Sequence, residues 1–377
     1  MTSLSTERRK RMLMRRKDVL SSRERVRLAL NHQATDRIPI AMVCAEINPP
    51  AYRELETYLQ RERGLNVATY LKGLIDIRQV DPQYIGPPLA PGEDLWGVRR
   101  QPVSYGSGSY DEIVAYPLAN AQSMEDLRQY RWPGVELFDY AVLPERIAAA
   151  QADGEHCLMA ANGNIFETAW YMRGFEKMFL DLVVNPELAH EIMTRVTDFY
   201  VAHFTQILAA ANGGVDLVFT ADDIAGQNGL LMSLDMWAQF IKPYHVRLNK
   251  AIHEFGAKVI YHTDGAVMKA VPGLIDMGID VLQALQFSAK GMDPAALKQN
   301  YGDRLCFEGG VSVQTTLPFG SPADVRQEVE RLITILGQNG GYILGPSHYI
   351  QAATPPANIV AMFDTAGSFY PFRNNRD

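Results

Sequence analysis

Histidine and carboxylate side chains directly follow two apolar runs in the C-terminal half of the chain. His262 and Asp264 come after the run 257–260, and His348 comes after the run 341–344. Each run reads as a buried strand. Imidazole and carboxylate ligands around an open coordination position hold catalytic Zn²⁺ or Fe²⁺. The sequence therefore predicts a divalent metal on His262, Asp264 and His348, with zinc preferred and iron as the alternative. Without a metal, the same residues would serve as acid–base groups or bind a substrate carboxylate.

Further carboxylates stand at the ends of two other predicted strands. Asp222 and Asp223 follow the strand 216–220, and because they are adjacent, one should face the mouth at the strand ends while the other caps the following turn. Glu308 precedes two glycines, and burial there would raise its pKa and let it act as an acid. A salt bridge to Arg304 is the structural alternative for Glu308. We take Asp222, Asp223 and Glu308 as catalytic candidates.

Four polar residues are candidates for binding substrate. Asp76 and Arg78 share one face if their segment is extended, and the Arg78 guanidinium suits an anionic substrate group. A structural ion pair fits that pair equally well. Asn162 ends another predicted strand, and Gln227 either bonds substrate or fixes its own loop.

Strands and helices alternate from residue 140 onward, which is typical of a parallel βαβ sheet. Six successive strands, with one at 38–43 and one near residues 70–80, make eight and predict a single (β/α)8 TIM barrel. The polar residues above lie at the carboxyl ends of these strands, where barrel enzymes place their active sites. A doubly wound open sheet is the alternative, but the chain lacks its glycine-rich dinucleotide loop. The predicted strands are 38–43, 157–161, 216–220, 257–261, 280–284, 305–307 and 341–344.

Two regions lie outside this regular alternation. Residues 1–20 form a basic leader, and the barrel is assigned to residues 21–370, starting with a helix that Ser21 and Glu24 cap. Residues 44–135 read as helices plus an insertion near the barrel mouth, with a hairpin around 105–110.

Composition and charge restrict the classes of partner and compartment. The chain carries a net charge of −7, with the basic residues concentrated at the N-terminus, so the acidic body argues against nucleic acid as the main partner. No apolar stretch is long enough to span a membrane, and no secretory apolar region is visible. Three scattered cysteines fit a reducing cytoplasm. We therefore expect a cytoplasmic enzyme of small molecules, with a homodimer left open.

Several segments resemble the uroporphyrinogen decarboxylase superfamily, together spanning about residues 22–366. They include Arg23-Glu24-Arg25-Val26, the Asp-Asp-Ile-Ala-Gly-Gln stretch at 222–227, and the closing Gly345-Pro346-Ser347-His348 with its Thr-Pro-Pro turn at 354–356. Asp36-Arg37-Ile38-Pro39 and Asp76-Ile77 belong to the same set. The resemblance implies the barrel that the strand pattern also predicts.

The superfamily divides by chemistry. True uroporphyrinogen decarboxylases use no metal and carry Arg-Gln-Ala-Gly-Arg after the first strand, where this chain reads Cys-Ala-Glu-Ile-Asn at 44–48. The other branch contains zinc-dependent methyltransferases that bind zinc through a His-x-Cys pair and a distant Cys. In that register His262 matches the histidine, while Asp264 and His348 replace the two cysteines. Such a harder ligand set would polarise an ether or amine better than it would activate a thiol.

The resemblance thus implies a metal-dependent methyltransferase or demethylase. It would move a methyl group from a small O- or N-methylated substrate to a corrinoid, held by a partner protein or supplied as free cobalamin. A cofactor-independent decarboxylase or lyase acting on a small carboxylic acid, with Arg78 holding the carboxylate, is the first alternative. A non-catalytic tetrapyrrole- or corrinoid-binding protein is the second.

Overall fold

The computed structural model describes residues 18–44, 46–106 and 108–372 of the chain. The seven basic residues of the predicted leader fall within 1–17 and so lie outside the described residues. Within the described part of the chain, no helix is long and apolar enough to cross a membrane.

One curved sheet of seven parallel strands forms the centre of the fold, and its spatial order follows the order along the chain. The strands are fully or largely buried because helices cover the outside and side chains fill the inside. They are β1 (Ile77–Gln79), β2 (Cys157–Asn164), β3 (Leu217–Ala221), β4 (Lys258–His262), β5 (Val281–Gln283), β6 (Cys306–Val311) and β7 (Tyr342–Pro346).

Residues 38–43, named here the closing segment, complete the ring between β7 and β1. The backbone N–H of Ala41 donates to Leu344 of β7 at 2.9 Å, and the N–H of Asp76 donates to Ile40 at 2.8 Å. Only the pair Ile40 and Leu344 forms a bridge, since Pro39 has no N–H to offer. The predicted strand 38–43 is therefore present as a short seam, and the (β/α)8 barrel is confirmed.

The interior of the barrel is filled by side chains that alternate along the strands. Ile260, Val281 and Cys306 belong to one buried apolar cluster with Ala41 and Val43 of the closing segment. Because strand side chains repeat every two residues, the residue two positions after each of these strand members faces the same interior. This periodicity places polar residues at the carboxyl end of the barrel, above an apolar base.

Helices form the outer layer, and their ends agree with the sequence signals. Ser21 caps the first helix with Glu24 in a reciprocal capping box, as predicted. The stretch 234–253 is divided into two helices at Ile241, because Pro243 lies in the first turn of a new helix. The helices are α1 (Ser22–Leu30), α2 (Pro49–Arg63), α3 (Val67–Lys72), α4 (Met124–Gln129), α5 (Leu143–Ala150), α6 (Ile165–Arg173), α7 (Phe175–Val184), α8 (Pro186–Ala211), α9 (Leu234–Phe240), α10 (Lys242–His253), α11 (Val271–Asp276), α12 (Pro294–Tyr301), α13 (Thr316–Phe319), α14 (Pro322–Leu336) and α15 (Pro356–Ser368).

The insertion near the mouth contains an antiparallel hairpin of Arg99–Ser104 and Ser109–Ala115. Its tip contacts the segment that follows the barrel seam, since Asn48 donates to the Tyr105 hydroxyl at 3.4 Å. Tyr110 of the hairpin lies within electrostatic range of Cys44. The hairpin therefore covers part of the carboxyl end of the barrel.

Candidate metal centre

Cys44, His262 and His348 converge at the carboxyl end of the barrel. One ligand atom of each lies within 4.8 Å of the other two. Cys44 follows the closing segment, His262 ends β4, and His348 follows β7. The two imidazole rings are 5.9 Å apart between centroids. One sulfur and two nitrogen ligands match the donor set of a catalytic zinc site, which uses three protein ligands and keeps a further position for substrate or water.

Cys44 is the member that the sequence analysis missed as a ligand. Its backbone adopts φ 47°, in the left-handed region that a residue with a side chain rarely occupies. Although part of the residue is exposed, burial of the thiol raises its pKa to about 12, and the carboxyl groups of Glu167, Asp223, Glu308 and Asp264 add to the rise. A divalent cation bound by Cys44 would lower the pKa of its thiol, because metal coordination deprotonates a thiol.

The buried His262 imidazole is oriented by a single amide. Its Nδ1 lies 2.5 Å from Oε1 of Gln283, and the Gln283 NH₂ group donates to the Val43 carbonyl at 3.0 Å. Because the amide NH₂ is thus assigned to Val43, the oxygen faces His262 and must accept from Nδ1–H. Nε2 of His262 is left with its lone pair toward the centre, 3.6 Å from Oδ1 of Asp223.

His348 is neutral under ordinary conditions. Burial lowers its pKa to about 4, with His262 adding to the fall and Asp223 opposing it. A neutral imidazole offers a nitrogen lone pair, which is the form that binds a metal.

Asp264 lies beside this cluster, and its oxygens are not among the ligand atoms that converge, so its role as a metal ligand stays a prediction. They do not converge because β4 ends at His262 and Gly265 turns the chain at φ 80°, so the two-residue strand period does not extend to Asp264. Its N–H donates to Asp223 at 3.2 Å. Burial and then the Asp223 charge raise the pKa of Asp264 to about 6.

The neighbouring aspartates 222 and 223 have different surroundings. Asp222 is fully buried and accepts from the N–H groups of Phe166 and Glu167 at the start of α6, at 2.9 and 2.8 Å, and its Oδ2 lies 2.5 Å from Nε2 of His245. It caps a helix end that lacks a cap of its own. Asp223 faces the mouth beside His262. Because Asp222 caps α6, Asp223 is the member of this pair that we keep as a candidate catalytic group.

Glu167 is a second group that the sequence analysis did not identify. It is buried in the first turn of α6 and accepts from Asn164 at 2.8 Å and from the Tyr171 hydroxyl at 3.1 Å. Burial, followed by the charges of Asp223 and Asp222, raises its pKa well above the ordinary value. The spacing of Asn164 and Glu167 across a strand-to-helix junction was the available signal.

Glu308 is fully buried in the barrel interior, in register with Gln283 on the neighbouring strand. Neither of its oxygens receives a hydrogen bond of good geometry, although the Gln283 amide and the Val43 N–H approach it. The absent Cβ of Gly345 makes room for it, since a Cβ there would lie 2.6 Å from Oε1. Burial raises the pKa of Glu308 to about 8, so the carboxyl group holds a proton at neutral pH.

This raised pKa predicts a pH-dependent stability difference. The folded protein binds the Glu308 proton more tightly than the unfolded chain does, so the contribution is complete below about pH 4.5 and is lost as pH rises to about 8. The free energy of unfolding of metal-free wild type should therefore fall relative to Glu308→Gln across that range, by up to about 1.4 kcal/mol per pH unit. Denaturant titrations at several pH values measure it. Glu62→Gln, at an exposed position, is the control, and parallel pH profiles for wild type and Glu308→Gln would contradict the assignment.

The candidate substrate groups Asp76 and Arg78 lie at the other end of the barrel. Asp76 is fully buried and receives hydrogen bonds from Arg25, Arg37 and the Ile40 N–H. Arg78 is paired with Asp153, in the turn that precedes β2. The structure thus favours the ion-pair alternative for both residues, because these side chains are engaged in ion pairs away from the mouth.

Asn162 and Gln227 lie on the same side as the metal cluster. Asn162 is exposed at φ 77°, within the register shift of β2 between Ala160 and Gly163. Gln227 exchanges two amide hydrogen bonds with Gln286, at 3.1 and 2.9 Å, which supports the loop-fixing alternative for Gln227. Asn162 stays a prediction.

Comparison with protein families assigns the chain. The family model described as uroporphyrinogen decarboxylase (URO-D) matches residues 101–369, well over half of the sequence. The chain belongs to the uroporphyrinogen decarboxylase family. Among the curated members, the uroporphyrinogen decarboxylase of Alkalilimnicola ehrlichii is 23% identical, covering 92% of this chain and 94% of that protein. That of Histophilus somni is 21% identical over 72% of this chain and 74% of that protein.

A solved structure shares the fold across nearly the whole length of both chains. This family member is similar to a methyltransferase from Methanosarcina mazei with a TM-score of 0.67 and 16% sequence identity. The alignment covers 92% of this chain and 98% of that one. The likeness establishes the shared barrel architecture.

Proposed function

We propose that this protein is a metal-dependent methyltransferase that moves a methyl group from a small O- or N-methylated substrate to a corrinoid. The observation that carries the proposal is the convergence of Cys44, His262 and His348 at the barrel mouth. A divalent metal held there, zinc before iron, would supply Lewis acidity toward the heteroatom that carries the methyl group. The structural neighbour being a methyltransferase supports the same class of reaction.

The residues around the ligands would bind substrate and manage its proton. Asp223 faces the mouth beside His262 and is placed to accept or return a proton at the departing heteroatom. Glu167 lies close enough to Asp223 for their charges to interact, and so can also accept or return this proton. Tyr110 and Tyr171 present aromatic rings near these carboxylates. The corrinoid, free or on a partner protein, would approach at the open side of the mouth.

The charge of the mouth argues against the alternative of a decarboxylase or lyase for small carboxylic acids. The charged side chains around Cys44 are carboxyl groups, and those that are ionised, Asp223 foremost, disfavour a further anion nearby. Arg78, the cation proposed to hold a substrate carboxylate, is paired with Asp153 at the opposite end of the barrel. We therefore favour a neutral or cationic methylated substrate.

The test is methyl transfer from donors of matched shape and different charge. Zinc-loaded protein is incubated without oxygen with Co(I) cobalamin and 2-methoxyethylamine, 1-methoxypropane or methoxyacetate, and methylcobalamin formation is followed by absorbance. We expect transfer from the cationic or the neutral ether and the slowest transfer from the anion. His348→Ala should lower the rate at least about 100-fold, because a metal ligand is lost.

His253→Ala is the matched control, since that histidine pairs with Asp280 at the N-terminal side of the barrel. Rates that are unchanged in His348→Ala would contradict the metal-dependent reaction. Release of CO₂ from a carboxylic acid without any cobalamin would favour the lyase instead.

A further inference from the structure

Gln283 makes hydrogen bonds to two parts of the metal centre at once. It ends β5, its side chain is fully buried, and it faces the barrel interior two residues after Val281. Its amide oxygen accepts from Nδ1 of His262, and its amide nitrogen donates to the carbonyl of Val43.

The two partners of Gln283 belong to different walls of the barrel. His262 is its register partner on the adjacent strand β4. Val43 belongs to the closing segment, which is separated from β5 by β6 and β7. One planar amide therefore links neighbouring and distant walls, directly beneath the ligand atoms.

The Val43 carbonyl is the point at which Gln283 can act on Cys44. That carbonyl belongs to the peptide unit that precedes Cys44, so the direction in which it points is coupled to the φ angle of Cys44. Cys44 is held at φ 47°, and a residue with a side chain keeps such a conformation only where its surroundings enforce it. The hydrogen bond from Gln283 is one such constraint.

We propose that Gln283 is a positioning residue of the metal centre, fixing the Nδ1–H tautomer of His262 and the backbone conformation that presents the Cys44 thiol. This inference rests on the proposed metal site. Gln283 touches no substrate or metal; it acts through the two ligands. Removing both of its hydrogen bonds should weaken metal binding by about 10- to 100-fold, as is typical for groups that orient metal ligands.

Titration of metal-free protein with Co²⁺ tests the proposal. The dissociation constant reports affinity, and the near-ultraviolet thiolate-to-cobalt charge-transfer band reports whether Cys44 is bound. Gln283→Met, which keeps the length of the side chain but neither hydrogen bond, should show weaker binding and a reduced band. Gln283→Glu keeps an acceptor for His262 but loses the donor to Val43, so we expect the band to fall more than the affinity does.

A double-mutant cycle separates positioning from general damage. If Gln283 acts partly through Cys44, the loss caused by Gln283→Met should be clearly smaller in a Cys44→Ala background than in wild type. Gln151→Met is the matched control, since Gln151 also ties two backbone groups, both of His156, but at the other end of the barrel. Melting temperatures identify variants that fail to fold, and Gln283→Glu then carries the test.

The outcomes distinguish this inference from the proposed function. A wild type that binds no Co²⁺ would overturn the metal site, and the positioning role with it. A wild type that binds Co²⁺ with its thiolate band, beside Gln283 variants within twofold in affinity and equal in band intensity, would overturn only the role of Gln283.

Discussion

Replacing Cys44 by alanine is expected to remove most of the bound metal, whereas replacing Asp264 by asparagine is expected to leave it in place. The reason is that the Cys44 sulfur shares the cluster with His262 and His348, while Asp264 lies beyond the end of β4. Loss of Cys44 removes the sulfur donor of the cluster, which the two imidazoles do not supply. Elemental analysis of the purified variants, after equal exposure to zinc and dialysis, measures the result.

His262→Ala and His348→Ala should behave as Cys44→Ala does, with near one equivalent of zinc or iron in wild type only. Cys306→Ala is the thiol control, since that buried cysteine lies in the apolar base of the barrel. The opposite pattern, in which Asp264→Asn loses metal and Cys44→Ala retains it, would restore the ligand set expected from the sequence register.

Replacing Asp76 by alanine should destabilise the protein by about 3–5 kcal/mol. Arg25 and Arg37 both pair with this carboxylate at 2.7 Å, and both guanidinium groups are almost fully buried. The Ser22 hydroxyl and the Ile40 N–H add hydrogen bonds at 2.7 and 2.8 Å. Alanine would leave the buried guanidinium groups of Arg25 and Arg37 without a carboxylate that pairs with both. It would also remove the side-chain hydrogen bond that ties the closing segment to the start of β1.

Chemical denaturation measures this loss as a lower free energy of unfolding. Asp198→Ala is the matched control, because it removes an aspartate that pairs with Arg247 on the surface, and it should change stability by less than about 1 kcal/mol. A similar small change in Asp76→Ala would show that the buried ion pairs contribute little net stability.

The barrel was predictable because its elements are local patterns. Apolar runs separated by helical periodicity located all six strands from β2 to β7. The seam was predicted as a strand, but its single bridge depends on the pairing of Ile40 with a residue some 300 positions away. No local pattern contains that information.

The candidate site was predicted in part for the same reason. His262 and His348 were identified because each ends a predicted strand, and strand ends meet at one face of a barrel. Cys44 was missed because its inward position depends on a left-handed backbone that a Cys-Ala-Glu segment does not indicate. Asp222 and Asp223 could be divided into a cap and an exposed group, but the buried partner His245 comes from a distant helix. An ion pair was left open for Asp76, but its partners Arg25 and Arg37 could not be named because they lie in other elements.

The seam of the barrel and one ligand of the candidate centre lie on the same short stretch of chain. The closing segment is held to β7 by few backbone hydrogen bonds, and Cys44 follows it directly. Amide hydrogens of such a stretch exchange with solvent through local openings of the native state. An ion that joins Cys44 to His262 and His348 binds the closed form alone and suppresses the openings by mass action. Metal binding would then stabilise the closed form of the barrel at this seam, and slower hydrogen exchange at residues 38–44 would show it.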